Sequence, residues 1–365
     1  MTSITVSNNL QGPVIVLGAG LIGTSICLGL RGHGIPVFLS DPLPSNQASA
    51  IALGAGEALS SLTTKPELIV VAAPPLVTAD VIARALADYP EATVIDIAST
   101  KTTILNQLLA LGLDLERYVG THPMTGREKS GPRAARGRLF VAMPWVLCPT
   151  AATSHVSMQR ARALAVLLGA VVHELSPEAH DRIVALISHV PQVVATLVAA
   201  RLRVSPKAAL SLAGDPLRSL TRIAASAPEL WVQIFATNSD EVLHVLRAFN
   251  RDLSAAIDAL EHPEARGSSL AIAHLIEEGR TGQQQIPTKS KANQLTLVSV
   301  RVAVDDRPNI LARMFTLIGN SGINIEDLRL THYAGTKNGA ADISVRAEHQ
   351  KALVDLLTAN KYSIH

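Results

Sequence analysis

The size and charge of the chain predict a folded, multidomain protein and argue against nucleic-acid binding. The 365 residues are enough for two or three domains at roughly 100–200 residues each. Lys and Arg number 32 and Asp and Glu number 30, so the net charge of +2 lacks the basic excess that displaces phosphate counterions. With 48% hydrophobic and 17% charged residues, most of the chain should be ordered.

The N-terminal sequence and the cysteines predict a cytoplasmic protein with no membrane partner. The opening sequence MTSITVSNNLQGP lacks the basic and apolar segments of a secretory signal. We find no apolar run near the 18 residues that predict a membrane span. Cys27 and Cys148 are too few for a disulfide framework, which indicates a reducing compartment.

Residues 1–176 alternate short β-branched runs with helical stretches. The runs are largely apolar, as in VIVL at residues 14–17, which favours parallel strands covered on both faces. The predicted strands lie at residues 14–17, 36–40, 67–74, 92–99, 118–124, 145–149 and 168–175. Strands that alternate with helices build βαβ units, so we expect an α/β domain with a parallel sheet.

The remaining residues predict a helical domain followed by a small mixed module. Ser176 and Pro177 are typical of a helix start, and residues 177–282 contain no alternating run, which predicts an all-α domain that dimerises. Residues 283–294 are polar and predict a linker. Residues 295–365 predict an α+β module of βαββα type.

A glycine motif marks the first strand-to-helix turn. The motif G-x-G-x-x-G comprises Gly18, Gly20, Leu21, Ile22 and Gly23. Its glycines suit a tight turn, backbone approach to a pyrophosphate and close helix–strand packing. Asp41 ends the next strand and would bind the adenine ribose, and no Lys or Arg lies between residues 40 and 61 to hold a 2′-phosphate. This first domain is therefore predicted to be Rossmann-type and to bind NAD rather than NADP.

Two groups of polar residues lie at the ends of later strands. Ser99 precedes Lys101 and could act as the N-cap of a helix that begins at Thr102. His122 follows a predicted strand and opens a loop that holds Arg, Glu and Lys between glycines. Ligands bind at such strand ends in a doubly wound sheet, so both groups are candidates for substrate contacts.

A third group lies in the helical region. It comprises His180, Asp181, His189, Gln192, Arg218 and Arg222. His189 and Gln192 are three residues apart and share a helix face, while the two arginines bind an anion, face water or cap a helix. No His/Cys cluster has the spacing of metal ligands, so we predict no metal. NAD, one His and an Arg for carboxylates are typical of a dehydrogenase that acts on a small anion.

With these residues in place, the sequence resembles the prephenate/arogenate dehydrogenases of tyrosine biosynthesis over nearly its whole length. The matching segments are VIVLGAGLIGTS, DIASTK, GTHPMTGREKSG, SPEAHDRIVALISHVPQ and LTRIAASAPELW. The tail VDDRPNILARMFTLIGNSGINI resembles an ACT domain, which implies a ferredoxin-like regulatory module at residues 295–365 that binds an amino acid such as tyrosine.

The resemblance implies NAD-dependent oxidative decarboxylation of prephenate to 4-hydroxyphenylpyruvate, with hydride transfer from C4. His122 would accept the proton or hydrogen bond of the 4-hydroxyl, and Ser99 would hold the hydroxyl or the histidine. Arg222 would bind a carboxylate. The other residues implied at the substrate are His189, Gln192, Trp231 and Thr125, and those implied at the cofactor beside the glycine motif and Asp41 are Ala73 and Pro74.

Two positions depart from the family pattern. Members that use prephenate often read S-H-x-P-H, whereas the last position here is Gln192, which keeps arogenate dehydrogenase as an alternative. An ACT turn usually reads D-x-P-G, and here Asn309 replaces the glycine of that motif, although Asn tolerates positive φ. A specialised relative acting on an amino analogue of prephenate, a non-catalytic amino-acid sensor and a purely structural ACT module are further alternatives.

Overall fold

The computed structural model describes residues 10–126, 130–287, 296–305, 307–332 and 338–364. The chain divides into two compact units. The first comprises Met1–Ala200 and Thr221–Phe249, and the second comprises Arg201–Leu220 and Asn250–His365.

The first unit is built on an eight-stranded sheet. Its strands are β1 Val14–Leu17, β2 Val37–Ser40, β3 Glu57–Ala58, β4 Leu68–Val71, β5 Thr93–Asp96, β6 Tyr118–Pro123, β7 Pro144–Cys148 and β8 Val171–Glu174. Their order is β3-β2-β1-β4-β5-β6-β7-β8, so the direction of winding reverses between β1 and β4. The seven predicted strands are confirmed, and the short β3 is an addition.

The sheet is mixed, which corrects the expectation of a parallel one. β1 to β6 are parallel, but β7 runs antiparallel to β6 and β8 is parallel to β7. A parallel neighbour needs a crossover, usually a helix. The described residues between β6 and β7 contain only the short 3₁₀ turn Pro132–Ala134, so the chain returns in the opposite direction.

Helices cover both faces of this sheet. Those that begin before residue 177 are α1 Leu21–Gly32, α2 Pro44–Ala52, α3 Pro75–Asp88, α4 Thr102–Ala110 and α5 His155–Leu167. Alternate residues of β1 point to opposite faces, so Val14 and Val16 join one apolar core while Ile15 joins the other. Burial on both faces explains why these strands are continuously apolar.

Residues after 176 form the expected helices. They are α6 Pro177–Val184, α7 Val190–Arg201, α8 Lys207–Ser211, α9 Asp215–Thr221, α10 Pro228–Thr237, α11 Ser239–Glu261 and α12 Ser268–Gln285. Ser176 caps α6 as predicted, because its hydroxyl accepts the N–H of Ala179. Helix α12 ends at Gln285, inside the stretch that we assigned to a linker.

The segment Pro177–Val204 is long and apolar enough, by length and composition alone, to cross a membrane, whereas the sequence predicted no membrane span. One such helix is weak evidence, since the core helix of a globular protein meets the same criterion. The segment buries His180, Asp181 and His189 in hydrogen bonds, which is typical of a core helix.

The second unit ends in a small α+β module. Strand β9 Leu297–Asp305 is followed by α13 Ile310–Asn320, β10 Asp327–His332, β11 Asn338–Arg346 and α14 Gln350–Ala359. The sheet is antiparallel in the order β10-β11-β9. The βαββα order predicted from the sequence is confirmed. Asn309, before α13, has φ 69°, so this residue does adopt the left-handed conformation for which Asn was expected to be suitable.

Candidate active site

The glycine loop between β1 and α1 has the geometry that the motif predicts. Gly18 has φ 114°, and a Cβ there would lie 2.3 Å from the carbonyl oxygen of Ala72. A Cβ on Gly23 would lie 2.1 Å from the carbonyl oxygen of Gly18. A Cβ on Gly20 would meet nothing within 4 Å. Two of the glycines are therefore needed for packing, and the third borders open space that a ligand can approach.

Asp41 lies against this loop at the carboxyl end of β2. Its Oδ2 accepts the N–H of Ala19 at 2.6 Å, and its Oδ1 accepts the N–H of Leu43 at 2.8 Å. Helix α1 begins at Leu21 and receives no side-chain cap from Gly20, so its N-terminal N–H groups and positive dipole end face the loop. The open space, the helix end and the carboxylate together fit the phosphates and ribose of a dinucleotide.

Ala73 and Pro74 follow β4, next to β1 at the point where the winding reverses. Thr78 fixes this turn, because its hydroxyl hydrogen-bonds to the carbonyl oxygens of Ala73 at 3.2 Å and Pro74 at 2.9 Å. Ligands of open α/β sheets bind in the crevice at this reversal. Ala73 and Pro74 therefore border this crevice, and their contact with the cofactor stays a prediction.

His122 lies near the carboxyl end of β6, on the same edge of the sheet as the glycine loop. Its Nδ1 is 2.9 Å from Nε2 of His180, and the two rings meet edge to face with centroids 5.1 Å apart. Burial, followed by the nearby His180, Lys101 and His189, lowers the pKa of His122 well below 6.5. At neutral pH the ring is therefore uncharged and able to accept a proton.

His180 and its neighbour Asp181 are buried on α6. Asp181 Oδ1 lies 2.8 Å from His180 Nδ1 and accepts the N–H of Lys101 at 2.8 Å, while Oδ2 accepts the N–H of Thr102 at 2.7 Å. Burial opposes ionisation of Asp181, but the hydrogen bonds from His180 and from the Thr102 backbone keep its pKa below the usual value. The sequence marks His180 and Asp181 as polar candidates but assigns them no role.

The contacts of Asp181 correct the expected role of Ser99 as a helix cap. Helix α4 begins at Thr102 with Lys101 at the cap position, and the carboxylate of Asp181 binds the first N–H groups. Ser99 is half-buried and makes no hydrogen bond to another residue in the described part of the chain. Its hydroxyl therefore has no partner there that a substrate would need to displace.

A buried ion pair lies behind these residues. Lys101 donates from Nζ to Asp96 Oδ1, and both side chains are about 1% exposed or less. Tyr118 donates its hydroxyl to Asp96 Oδ2 at 2.7 Å. Burial, followed by the charge of Asp96 and its hydrogen bond, raises the pKa of Tyr118 well above 10. The cluster joins β5, β6 and the start of α4, the three elements that carry Ser99 and His122.

His189 and Gln192 are both buried, but an unexpected π-helical turn, Ala185–His189, precedes α7. Asn238 donates from Nδ2 to His189 Nδ1 at 3.2 Å and to the carbonyl oxygen of Asp181 at 2.9 Å. Burial lowers the pKa of His189 to about 4, with Asp181 opposing and His180 adding to the shift. The ring of Trp231 meets His189 edge to face at 6.0 Å.

The other predicted substrate residues have simpler surroundings. Gln192 donates to Thr196 Oγ1 at 3.4 Å on its own helix. Thr125 is half-buried after β6, and its N–H donates to the carbonyl oxygen of Pro123 at 2.8 Å. Arg222 is exposed in the 3₁₀ turn Arg222–Ala225. The charged residues 127–129 of the loop after His122 lie outside the described residues.

In the described ranges, no group of three or more His, Cys, Asp or Glu side chains is arranged to hold a metal ion. Cys27 and Cys148 are buried thiols, and burial raises the pKa of each to about 12. The chemistry available at this edge of the sheet is therefore proton transfer and hydrogen bonding by His122, His189, Ser99 and their neighbours.

Comparison with known protein families gives two adjoining matches. The nucleotide-binding domain of prephenate dehydrogenase matches residues 26–174, and the dimerization domain of prephenate dehydrogenase matches residues 176–275. The chain is 35% identical over 355 residues to a probable prephenate dehydrogenase, NovF, of Streptomyces niveus, covering 95% of this chain and 98% of that protein.

Solved structures give the same result. A prephenate dehydrogenase from A. aeolicus in complex with hydroxyphenyl propionate and NAD⁺ is similar with a TM-score of 0.65 and 26% identity, covering 75% of this chain and 98% of that one. Synechocystis arogenate dehydrogenase is similar with a TM-score of 0.61 and 25% identity, covering 74% of this chain and 99% of that one.

Proposed function

The chain belongs to the prephenate dehydrogenase family, and we propose that it catalyses the NAD-dependent oxidative decarboxylation of prephenate to 4-hydroxyphenylpyruvate. The observation that supports this assignment most directly is the uncharged His122 on the sheet edge that carries the glycine loop. A proton acceptor and a dinucleotide site on one edge are the minimum equipment for oxidising an alcohol.

Each residue of the site has a separate role in this reaction. NAD⁺ bound at the glycine loop would accept hydride from C4 of the substrate. His122 accepts the proton of the 4-hydroxyl as the C4 carbonyl develops, because its ring is neutral at physiological pH. Ser99, whose hydroxyl has no hydrogen-bond partner in the described residues, binds the same hydroxyl and orients it. Loss of the ring carboxylate as CO₂ then makes the ring aromatic.

Arg222 binds a substrate carboxylate in this proposal. Arg222→Ala should raise KM for prephenate by about 10- to 100-fold, since hydrogen bonds to charged groups contribute about 1.5–3 kcal/mol. The KM of Arg222→Lys should lie between those of the wild type and Arg222→Ala, because lysine keeps the charge and loses the bidentate geometry. Steady-state kinetics measure both. A KM that is the same in all three proteins would exclude this role.

Asp41 should select NAD over NADP. Asp41→Ser combined with Pro42→Arg removes a carboxylate and adds a cation, so kcat/KM for NADP relative to NAD should rise by about tenfold or more. Serine can still accept one of the two N–H groups that Asp41 binds. Pro42→Arg alone is the control, since Asp41 remains. An unchanged cofactor ratio would mean that the ribose is bound by other residues.

The pH dependence of kcat/KM should show an acid limb with its midpoint below 6.5. Activity needs neutral His122, and the pKa of this group is lowered, so the rate stays level as the pH falls through 6.5 and drops only at lower pH. The groups that face His122 are His180, Lys101 and His189. Initial rates in a constant-ionic-strength buffer series measure the limb. A midpoint above 6.5 contradicts the prediction.

Arogenate is the alternative substrate, and Gln192 is the feature that favours it. The side chains of Gln192 and His189 are both buried, and His189 is uncharged at neutral pH because its pKa is about 4. A pocket with less positive charge tolerates the amino group of arogenate better than a cationic one would.

NADH formation with prephenate and with arogenate at matched concentrations tests the assignment. A higher kcat/KM on prephenate is the expected result. A higher value on arogenate would mean that Gln192 marks the side-chain pocket and that the product is tyrosine. Turnover of either substrate removes the non-catalytic sensor, and turnover of neither would leave the sensor and an amino analogue of prephenate to be tested.

We infer that the C-terminal module is an ACT domain that binds tyrosine. A cavity of about 200 Å³ lies at the start of α13, between β9, β10 and β11, and Asp305, Arg307 and Asn309 are among its lining residues. A carboxylate and a guanidinium beside one small cavity complement the amino and carboxylate groups of an amino acid. Calorimetry of the whole chain with tyrosine should detect binding, and its absence would favour a structural module.

We also propose that the chain forms a homodimer in the cytoplasm. Leu253, Ile257 and Leu260 are exposed on one face of α11, within the residues matched by the dimerization-domain family. A second copy of the chain is the partner that would cover them. Light scattering at micromolar concentration should give twice the mass of the chain. The cytoplasmic location stays a prediction from the sequence, in which two cysteines are too few for a disulfide framework.

A further inference from the structure

A continuous chain of hydrogen bonds runs from two buried side chains, Asp181 and His180, to the half-buried His122, the proposed proton acceptor. Asp181 Oδ1 lies 2.8 Å from His180 Nδ1, and His180 Nε2 lies 2.9 Å from His122 Nδ1. His180 is fully buried, and each of its ring nitrogens is used in this chain. His180 therefore contacts His122 while having no ring nitrogen left for a substrate.

The donors and acceptors in this chain can be assigned from Asp181 inward. Asp181 also accepts two backbone N–H groups, and its pKa is lowered, so it is an ionised acceptor. His180 Nδ1 must then donate to it, and in the neutral imidazole the lone pair is on Nε2. His122 Nδ1 must donate to that lone pair, so the lone pair of neutral His122 is on Nε2.

We propose that His180, oriented by Asp181, is a positioning residue that holds His122 in the Nδ1–H tautomer, so that Nε2 is the atom that accepts the substrate hydroxyl proton. This inference rests on the proposed function for its catalytic meaning. The chemistry is the same as in other sites where a third group fixes the tautomer and orientation of a catalytic imidazole.

The position of α6 does not depend on the His180 imidazole. The Asp181 carboxylate binds the N–H groups of Lys101 and Thr102, and Asn238 donates to the Asp181 carbonyl oxygen at 2.9 Å. These bonds join α6 to α4 and to the residue after α10. Substitution of His180 should therefore change the surroundings of His122 while the helix stays in place.

A pair of substitutions in the whole chain tests the positioning role. His180→Leu removes the acceptor for His122 Nδ1–H, and kcat on prephenate should fall by about 100-fold, the scale of a slightly misplaced catalytic group. The KM for NAD should stay within about threefold. His180→Gln supplies an amide oxygen near the former Nε2, so its kcat should be at least tenfold higher than that of the leucine variant. Equal kcat in the leucine variant and the wild type, or no recovery with glutamine, would overturn the proposal.

A spectroscopic measurement on the wild type makes the test independent of activity and of the His180 variants. In wild-type chain labelled with ¹⁵N-histidine, the His122 resonances, assigned by their loss in His122→Asn, should show a protonated Nδ1 and an unprotonated Nε2. The opposite tautomer would overturn the proposal. If the wild type turned over no prephenate, the proposed function would fail, whereas the tautomer would still be measured.

Discussion

Replacing His122 by Asn should lower kcat on prephenate by about 10²- to 10⁴-fold, the usual contribution of a positioned proton acceptor. The asparagine amide can still donate near the former Nδ1 to His180, so the substitution removes the accepting Nε2 with little change in the buried hydrogen-bond chain. The KM for NAD should stay nearly constant, because the glycine loop follows β1 and Asp41 follows β2, whereas His122 is on β6. Steady-state kinetics with both substrates varied measure the two effects.

The control for this substitution is His173→Asn. His173 is exposed on β8 and pairs with Val146 of β7, so its loss should leave kcat within about twofold of the wild type. An unchanged kcat in the His122 variant would exclude it as the proton acceptor. A large rise in the KM for NAD with normal kcat would instead place His122 in cofactor binding.

The parts of the site that follow from local sequence were predictable. Gly18, Gly23 and Asp41 are set by the strand–turn–helix pattern, and the structure gives the glycines the packing contacts that the motif requires. His122 was identified by the family motif around it, and the structure places it near the end of a predicted strand. The glycine motif and Asp41 also lie within one βαβ unit, formed by β1, α1 and β2.

The hydrogen-bond chain behind His122 was not predictable in the same way. His122 and His180 are 58 residues apart, and no sequence pattern links a strand end to one turn of a later helix. The helix cap shows the same limit, because Asp181 binds Thr102 across 79 residues. The local pattern pointed to Ser99, which lies two residues before the cap position that Lys101 occupies. The π-helical turn before α7 also has no signal in the spacing of apolar residues.

The largest expected loss of stability comes from Asp96→Asn. This substitution leaves the ammonium of Lys101 in a site that is 1% exposed, without the carboxylate that balances its charge. Removing one partner of a buried ion pair typically destabilises a protein by about 3–5 kcal/mol. Tyr118 also donates to Asp96, so its hydroxyl would lose a charged acceptor. Urea unfolding should show the loss as a lower midpoint with an unchanged slope.

Two further variants separate the buried charge from the loss of a hydrogen bond. Asp96→Asn combined with Lys101→Met removes both charges, so the double variant should be more stable than Asp96→Asn alone. Glu91→Gln breaks the exposed pair of Glu91 with Lys65, whose side chains are 64% and 77% exposed, and should change stability by less than about 1 kcal/mol. If Asp96→Asn were as mild as Glu91→Gln, the buried pair would not hold β5, β6 and α4 together. Ser99 and His122 would then be positioned by the hydrogen bonds of Asp181 and not by the buried ion pair.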